Sequence, residues 1–125
     1  MSNPSEEYVV ERPWGSYRVL SNLGIWWVKL IRVKLGQRLS YQSHKDRTEH
    51  WTIIKGVGRV WLSKNDNRIS KTIVVPGDII KVKLNQKHRI ENISKDEDLI
   101  FCEVALGECN EEDIIRFEDD YGRTK

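Results

Sequence analysis

Leu39-Ser40-Tyr41-Gln42-Ser43-His44-Lys45-Asp46-Arg47-Thr48-Glu49-His50-Trp51 is the stretch on which the reading of this chain turns. Gln42 and His44 are two apart, so on an extended strand they point to the same face. Glu49 follows after four intervening residues, on what reads as the next strand, and far downstream Lys87-His88 adds a second imidazole. Together Gln42, His44, Glu49 and His88 offer two imidazoles, one carboxylate and one amide oxygen. That donor set suits a borderline divalent ion (Zn, Co, Mn, Ni or Fe(II)) better than Ca or Mg.

Around this stretch the pattern is that of strands. Short apolar runs rich in Val, Ile and Trp are broken by Gly, Asn and Asp, and helical periodicity is scarce. Strands are expected over Gly15-Leu20, Ile25-Val33, His50-Ile54, Gly58-Ser63, Lys71-Val75, Ile79-Lys83, Lys87-Glu91 and Leu99-Ala105. Gly36, Lys64-Asn65-Asp66-Asn67, Pro76-Gly77 and Ser94-Lys95-Asp96-Glu97-Asp98 supply the turns between them. Strands this closely spaced make an all-β sandwich or barrel, with Leu99-Ile100-Phe101-Cys102, apolar on both faces, near its centre. Only the tail reads as helix: Asn110 caps a short helical start at Glu111-Glu112-Asp113, and Ile114, Ile115 and Phe117 pack it on the body.

Composition bounds the function. The chain has 125 residues, enough for one domain with one core. Its 38% hydrophobic and 32% charged fractions are ordinary for a globular protein. No apolar run approaches the roughly 20 residues needed to cross a bilayer, and Met1-Ser2-Asn3-Pro4-Ser5-Glu6-Glu7 has no signal-peptide character. Cys102 and Cys109 read as reduced thiols, which places the protein in the cytoplasm. The net charge of +2 hides an acidic tail, with seven acids against Arg116 between Gly107 and Asp120. The basic middle (Lys29, Arg32, Lys34, Arg38, Lys45, Arg47) alternates with apolar residues at strand spacing and forms no arginine-rich block, so nucleic acid is not expected.

Two clusters, Gly36…Gln42…His44…Glu49…Gly56 and Gly77…Lys83…Asn85…His88…Asn92, resemble in order and spacing the two motifs of the cupin superfamily, whose double-stranded β-barrels hold a divalent metal at these positions. Gln42 departs from the histidine that many cupins carry first, and Lys83 and Asn85 replace the usual Pro and Gly. Three longer stretches are more specific: Glu11-Arg12-Pro13-Trp14-Gly15-Ser16-Tyr17, the central stretch quoted above, and Glu112 to Arg123. In the same order they resemble the type II phosphomannose isomerase domain. The family signature Gln-x-His-x-x-Arg-x-Glu-His-Trp stands intact at Gln42, His44, Arg47, Glu49, His50 and Trp51, which accounts for the glutamine. In bifunctional enzymes that domain is joined to a mannose-1-phosphate guanylyltransferase, whose Gly-rich nucleotide-binding segment has no counterpart here.

The resemblance implies an all-β cupin double-stranded β-barrel (jelly roll) over residues 11–125, with the short C-terminal helix and with residues 1–10 as an N-terminal extension. It implies a metal-dependent isomerase that interconverts mannose 6-phosphate and fructose 6-phosphate, moving a proton between C1 and C2 through a cis-enediol. A phosphosugar-binding cupin without turnover, or a cupin enzyme acting on another sugar, is the alternative. The metal ligands are Gln42, His44, Glu49 and His88. Arg47 is expected at the phosphate or enediolate oxygens, and Arg12, Lys29 and Arg123 at the phosphate end. Trp14 and Trp51 either stack on the sugar or fill core. The proton-shuttling base is left open among His50, Lys45 and a metal-bound hydroxide, and His50, next to Glu49 on one strand, faces the other side. A homodimer is expected, as is common for small cupins.

Overall fold

The computed structural model describes residues 8–124, which form eleven strands and no helix. Six of them make one antiparallel sheet. In spatial order they are β1 (Tyr8–Arg12), β2 (Gly15–Asn22), β3 (Trp26–Val33), β10 (Leu99–Gly107), β5 (Arg47–Lys55) and β8 (Ile79–Val82). The second sheet is ordered β11 (Ile115–Glu118), β4 (Tyr41–Ser43), β9 (His88–Asn92), β6 (Gly58–Ser63) and β7 (Ile69–Val74). Neighbours in the sheets are distant in sequence, as in a jelly roll. β10 lies between β3 and β5, matching its apolar sequence on both faces.

Alternation decides what lies inside. In β5 the residues Arg47, Glu49, Trp51 and Ile53 are buried, and the residues between them face outward. β3 buries Trp27, Lys29, Ile31 and Val33, and β10 buries Leu99, Phe101, Glu103 and Ala105. The interior therefore has two ends. Val33, Ile53, Phe101, Leu99 and, from the second sheet, Val60 and Ile90 pack one end as an apolar core, each large side chain contributing about 1.5–3 kcal/mol. Lys29, Arg47, Glu49 and Glu103 occupy the other end. Charged side chains are costly inside a barrel unless partnered, so the polar end marks the site.

The tail differs from expectation. Asn110 does accept the backbone N–H of Glu112 through its side chain (2.9 Å) and that of Asp113 through its carbonyl (3.0 Å), but this is one turn and no helix follows. Ile115–Glu118 instead pairs with β4, where Ile115 faces Ser43 and Arg116 faces Gln42. A free edge on β4 offered more backbone hydrogen bonds than a single short helical turn, whose nucleation is unfavourable. Three short strands, β1, β4 and β11, lack a strong alternating pattern of their own and take their form from the strands they border. β1 starts within the stretch read as an extension, and residues 1–7 of that stretch lie outside the described residues. No helix among the described residues is long and apolar enough to cross a membrane.

Candidate metal centre

His44, at the end of β4, Glu49 on β5 and His88 on β9 bring their ligand atoms within 4.8 Å of one another, and all three are buried. Gln42 and His88 are register partners across β4 and β9, so the two sequence motifs meet through one strand pairing. Nε2 of His44 lies 3.3 Å from Glu49 Oε2, and Nε2 of His88 lies 3.7 Å from Glu49 Oε1.

The tautomers follow from the backbone. His44 Nδ1 donates to the carbonyl of Asp113 (2.7 Å) and His88 Nδ1 to the carbonyl of Gln86 (2.8 Å). A carbonyl only accepts, so each Nδ1 carries the proton, and in the neutral ring each Nε2 turns a lone pair into the site. Burial drives both imidazoles toward that neutral form, His44 to about 4. For Glu49 burial works the other way, but the Arg47 guanidinium and the two imidazoles outweigh it and hold the carboxyl at about 2. At neutral pH the trio is two bare imidazoles and one carboxylate. His88 Nε2 has no hydrogen-bond partner among the described residues. A buried, orphaned lone pair beside a carboxylate is the signature of a ligand atom, and the residues present fit a divalent ion.

The other ligand positions are held ready. Arg47 Nε donates to Glu49 Oε2 (3.0 Å) and Trp51 Nε1 donates to Glu49 Oε1 (3.1 Å), which fixes the carboxylate. Arg47 also reaches His44 Nε2 (3.3 Å) and the carbonyl of Asn110 (3.0 Å). The Gln42 amide nitrogen faces His44 Nε2 at 3.3 Å, and its oxygen accepts from Ser40 Oγ at 2.5 Å. A half-turn of the amide would present the oxygen to an ion, with Ser40 then accepting from the NH2. Asp113 binds the loop between β4 and β5 from below: its carboxylate accepts the backbone N–H groups of Lys45 and Asp46, both at 3.0 Å.

Glu49 and Gln42 also line a cavity of about 100 Å³, whose wall includes Arg12, Lys29, Glu103, Arg116 and Arg123. Lys29 Nζ pairs with Glu111 (2.6 Å) and lies over the rings of Trp27 (3.6 Å) and Tyr17 (4.2 Å). Arg123 is paired with Asp119 (2.9 Å). Arg116 Nε is buried with no partner among the described residues, and burial together with Arg123 and Arg12 nearby lowers its pKa. Three guanidiniums against one paired aspartate leave this corner of the cavity short of negative charge. Glu103, across the cavity, accepts from Trp27 Nε1 (2.8 Å); burial and then Glu49 push its carboxyl up to about 8 against the pull of Lys29 and Arg47.

Of the sequence candidates, Gln42, His44, Arg47, Glu49 and His88 come together at one centre, and Arg12, Trp14, Lys29 and Arg123 line the adjoining cavity. Trp51 does not stack in the cavity; it is 1% exposed, holds Glu49 and meets His88 edge-on with ring centres 5.7 Å apart. His50 and Lys45 are not brought to the centre. His50 lies on the outward face of β5, opposite Val104 and Lys81 in register, because strand side chains alternate. Lys45 is exposed on the β4–β5 turn. Sequence reading passed over Glu103 and Asp113 as site residues. Glu103 had a signal, since it is a lone charge within the apolar run of the central strand.

The family model described as mannose-6-phosphate isomerase C-terminal matches residues 3–119. The mannose-1-phosphate guanylyltransferase ManC of Salmonella typhimurium is 38% identical over 116 residues, 91% of this chain and 23% of that protein. The alginate biosynthesis protein AlgA of Pseudomonas aeruginosa is 38% identical over 117 residues, 92% of this chain and 23% of that protein. The chain thus spans about a quarter of the length of these curated relatives. Among solved structures, CapF of Staphylococcus aureus superposes with TM-score 0.79 at 16% identity, over 91% of this chain and 33% of that one. Oxalate decarboxylase of Bacillus subtilis gives 0.79 at 20% identity, over 98% and 33%. These two likenesses concern the fold.

Proposed function

The chain belongs to the family of mannose-6-phosphate isomerase C-terminal domains, and on that premise we propose that it is a metal-dependent aldose–ketose isomerase interconverting mannose 6-phosphate and fructose 6-phosphate. One observation carries the reading: a buried trio of neutral His44, ionised Glu49 and neutral His88, with an orphaned Nε2, adjoins a cavity lined by the guanidinium groups of Arg12, Arg116 and Arg123, of which Arg116 has a buried Nε without a partner among the described residues. The first half is a cation site and the second an anion site, and a phosphorylated sugar needs both.

His44, Glu49 and His88 would hold the ion, with Gln42 as a fourth donor. A divalent ion there supplies Lewis acidity to the sugar's carbonyl and hydroxyl oxygens, where charge develops during enolisation. Arg47 holds the ligand carboxylate and presents a buried cation beside the reacting end, where its planar fork suits the enediolate oxygens. Arg12, Arg116 and Arg123 take the phosphate, since fixed guanidiniums bind that group in bidentate fashion. Lys29, paired with Glu111, lines the same cavity and adds its positive charge to the phosphate end. Trp14 is buried in the cavity wall. The same reading makes the protein a cytoplasmic homodimer in polysaccharide precursor supply.

The test is conversion of mannose 6-phosphate to fructose 6-phosphate after chelation and separate re-addition of Zn, Co, Mn, Ni and Fe(II). Turnover restored by metal and abolished in Arg47→Ala supports the enzyme. Tight binding of metal and sugar phosphate without turnover replaces it with a phosphosugar-binding cupin. Turnover of another sugar alone reassigns the substrate.

A further inference from the structure

The isomerisation needs a group that takes a proton from one carbon and returns it to the next, and neither His50 nor Lys45 reaches the cavity. Glu103 does. It sits on the inner face of β10, in a row with Lys29 on β3 and Trp51 on β5, and lines the cavity with Glu49 and Gln42. The next inward position on β10 is the small Ala105, between Trp27 and Glu49 in register.

Three carboxylates line the cavity, and two are committed. Glu49 is held by Arg47 and Trp51 and belongs to the ligand trio. Glu111 is tied to Lys29 and to the Tyr17 hydroxyl (3.1 Å). Glu103 makes one hydrogen bond, from Trp27 to Oε2, and among the described residues no hydrogen bond or ion pair engages Oε1. It is 5% exposed, on one of the two central strands of the larger sheet, so its position is rigid. Burying a carboxyl there costs stability unless it is paired or protonated, and such groups cluster at functional sites.

We infer that Glu103 is the catalytic residue that carries the proton between C2 and C1, an assignment that rests on the isomerase reading above. Glu103 removes the C2 proton of open-chain mannose 6-phosphate. The C2–H electron pair becomes the C1=C2 double bond while the carbonyl oxygen O1 takes up a proton from water, giving the enediol. O2 then returns a proton to water, the C2=O bond forms, and Glu103 delivers its proton to C1. One proton moves from C2 to C1 and one from O2 to O1, with no change in the electron count of the sugar. The two inner glutamates divide the work by their contacts: Glu49 is held by Arg47 and Trp51 within the ligand trio, whereas Glu103 lines the cavity with an Oε1 that no described residue engages.

Glu103→Gln tests it, because an amide oxygen still accepts from Trp27 but cannot carry the proton. In the metal-loaded protein kcat falls by about 10²–10⁴-fold, exchange of the C2 proton with deuterated solvent stops, and metal affinity is unchanged. Trp27→Phe provides a second reading that does not depend on the glutamine variant folding. Losing a donor to the ionised carboxyl moves the acidic limb of kcat/KM to higher pH. Wild-type turnover that Glu103→Gln preserves, or an acidic limb that Trp27→Phe leaves in place, overturns the assignment to Glu103 alone. Loss of metal affinity together with turnover makes Glu103 structural and also overturns it. A wild-type protein that turns over no sugar with any metal removes the isomerase reading, and the role of Glu103 with it.

Discussion

Gln42 and His88 stand directly opposite one another across β4 and β9, and this register pair is what joins the two halves of the metal centre. His88 is 1% exposed and its Nε2 has no other use in the interior. His88→Ala should therefore lower affinity for a divalent ion by more than about 100-fold, while the barrel, whose apolar core is at the other end, stays folded. Isothermal titration with Zn or Co on both proteins measures the difference; equal affinity would remove His88 from the ligand set.

Asp113 acts on the same centre from outside it. Its carboxylate holds the backbone of Lys45 and Asp46, and its carbonyl fixes the His44 ring. Asp113→Ala removes the first anchor and keeps the second, so the loop loosens but the His44 tautomer stays. The expected loss in metal affinity is about 10–100-fold. Affinity within error of wild type would show that the β11 pairing alone holds the loop.

Arg116→Gln tests the phosphate corner. Removing one of three clustered guanidiniums should raise KM for mannose 6-phosphate by about 10–100-fold, with kcat less affected, since binding of the remote phosphate is lost from ground and transition states alike. Inorganic phosphate should compete with the wild type and poorly with the variant. An unchanged KM would place the phosphate elsewhere.

The metal-free protein should show two opposed pH dependences. His44 has a folded pKa of about 4 against an ordinary 6.5, so the unfolded chain binds more protons between those values and stability falls as pH drops through that window. Glu49, held at about 2 against 4.5, extends the acid loss lower. Glu103 works in reverse. Raised to about 8 from 4.5, it binds its proton more tightly in the folded state, and stability falls as pH rises toward 8. Between pH 6.5 and 8 the unfolded histidines finish losing their protons and add a small opposite slope, so the Glu103 contribution, about 1–2 kcal/mol, is read as the difference between the two proteins. Denaturation of Glu103→Gln with chelator present should lack that decline; an equal decline in both proteins would refute the attribution.

Gly107 closes β10 against the site loop with φ of +117°, and a Cβ there would lie 2.4 Å from the Asp46 carbonyl oxygen. Backbone cannot yield as a side-chain tip does. Gly107→Ala should cost about 1–3 kcal/mol and weaken metal binding through the displaced loop. A variant as stable as wild type would show that the loop moves freely.

The sequence by itself determined the strands that bury a face, the apolar centre of β10 and the candidate ligand residues. Each of these is a local matter: alternation at period two places Gln42 with His44 and Glu49 with Trp51 whatever the strands pair with, and it also puts His50 on the far side of β5. The tertiary structure decided everything that depends on which strands become neighbours. β4 and β11 hold too few residues to pattern themselves, so the pairing of Arg116 with Gln42 and the replacement of a helical tail by a strand came from an edge left open after folding. Glu103 read as one polar residue in a buried strand until β3 and β5 closed on either side of it. Its chemistry is set by burial and by charges brought from other strands, and neither quantity exists in an unpaired chain.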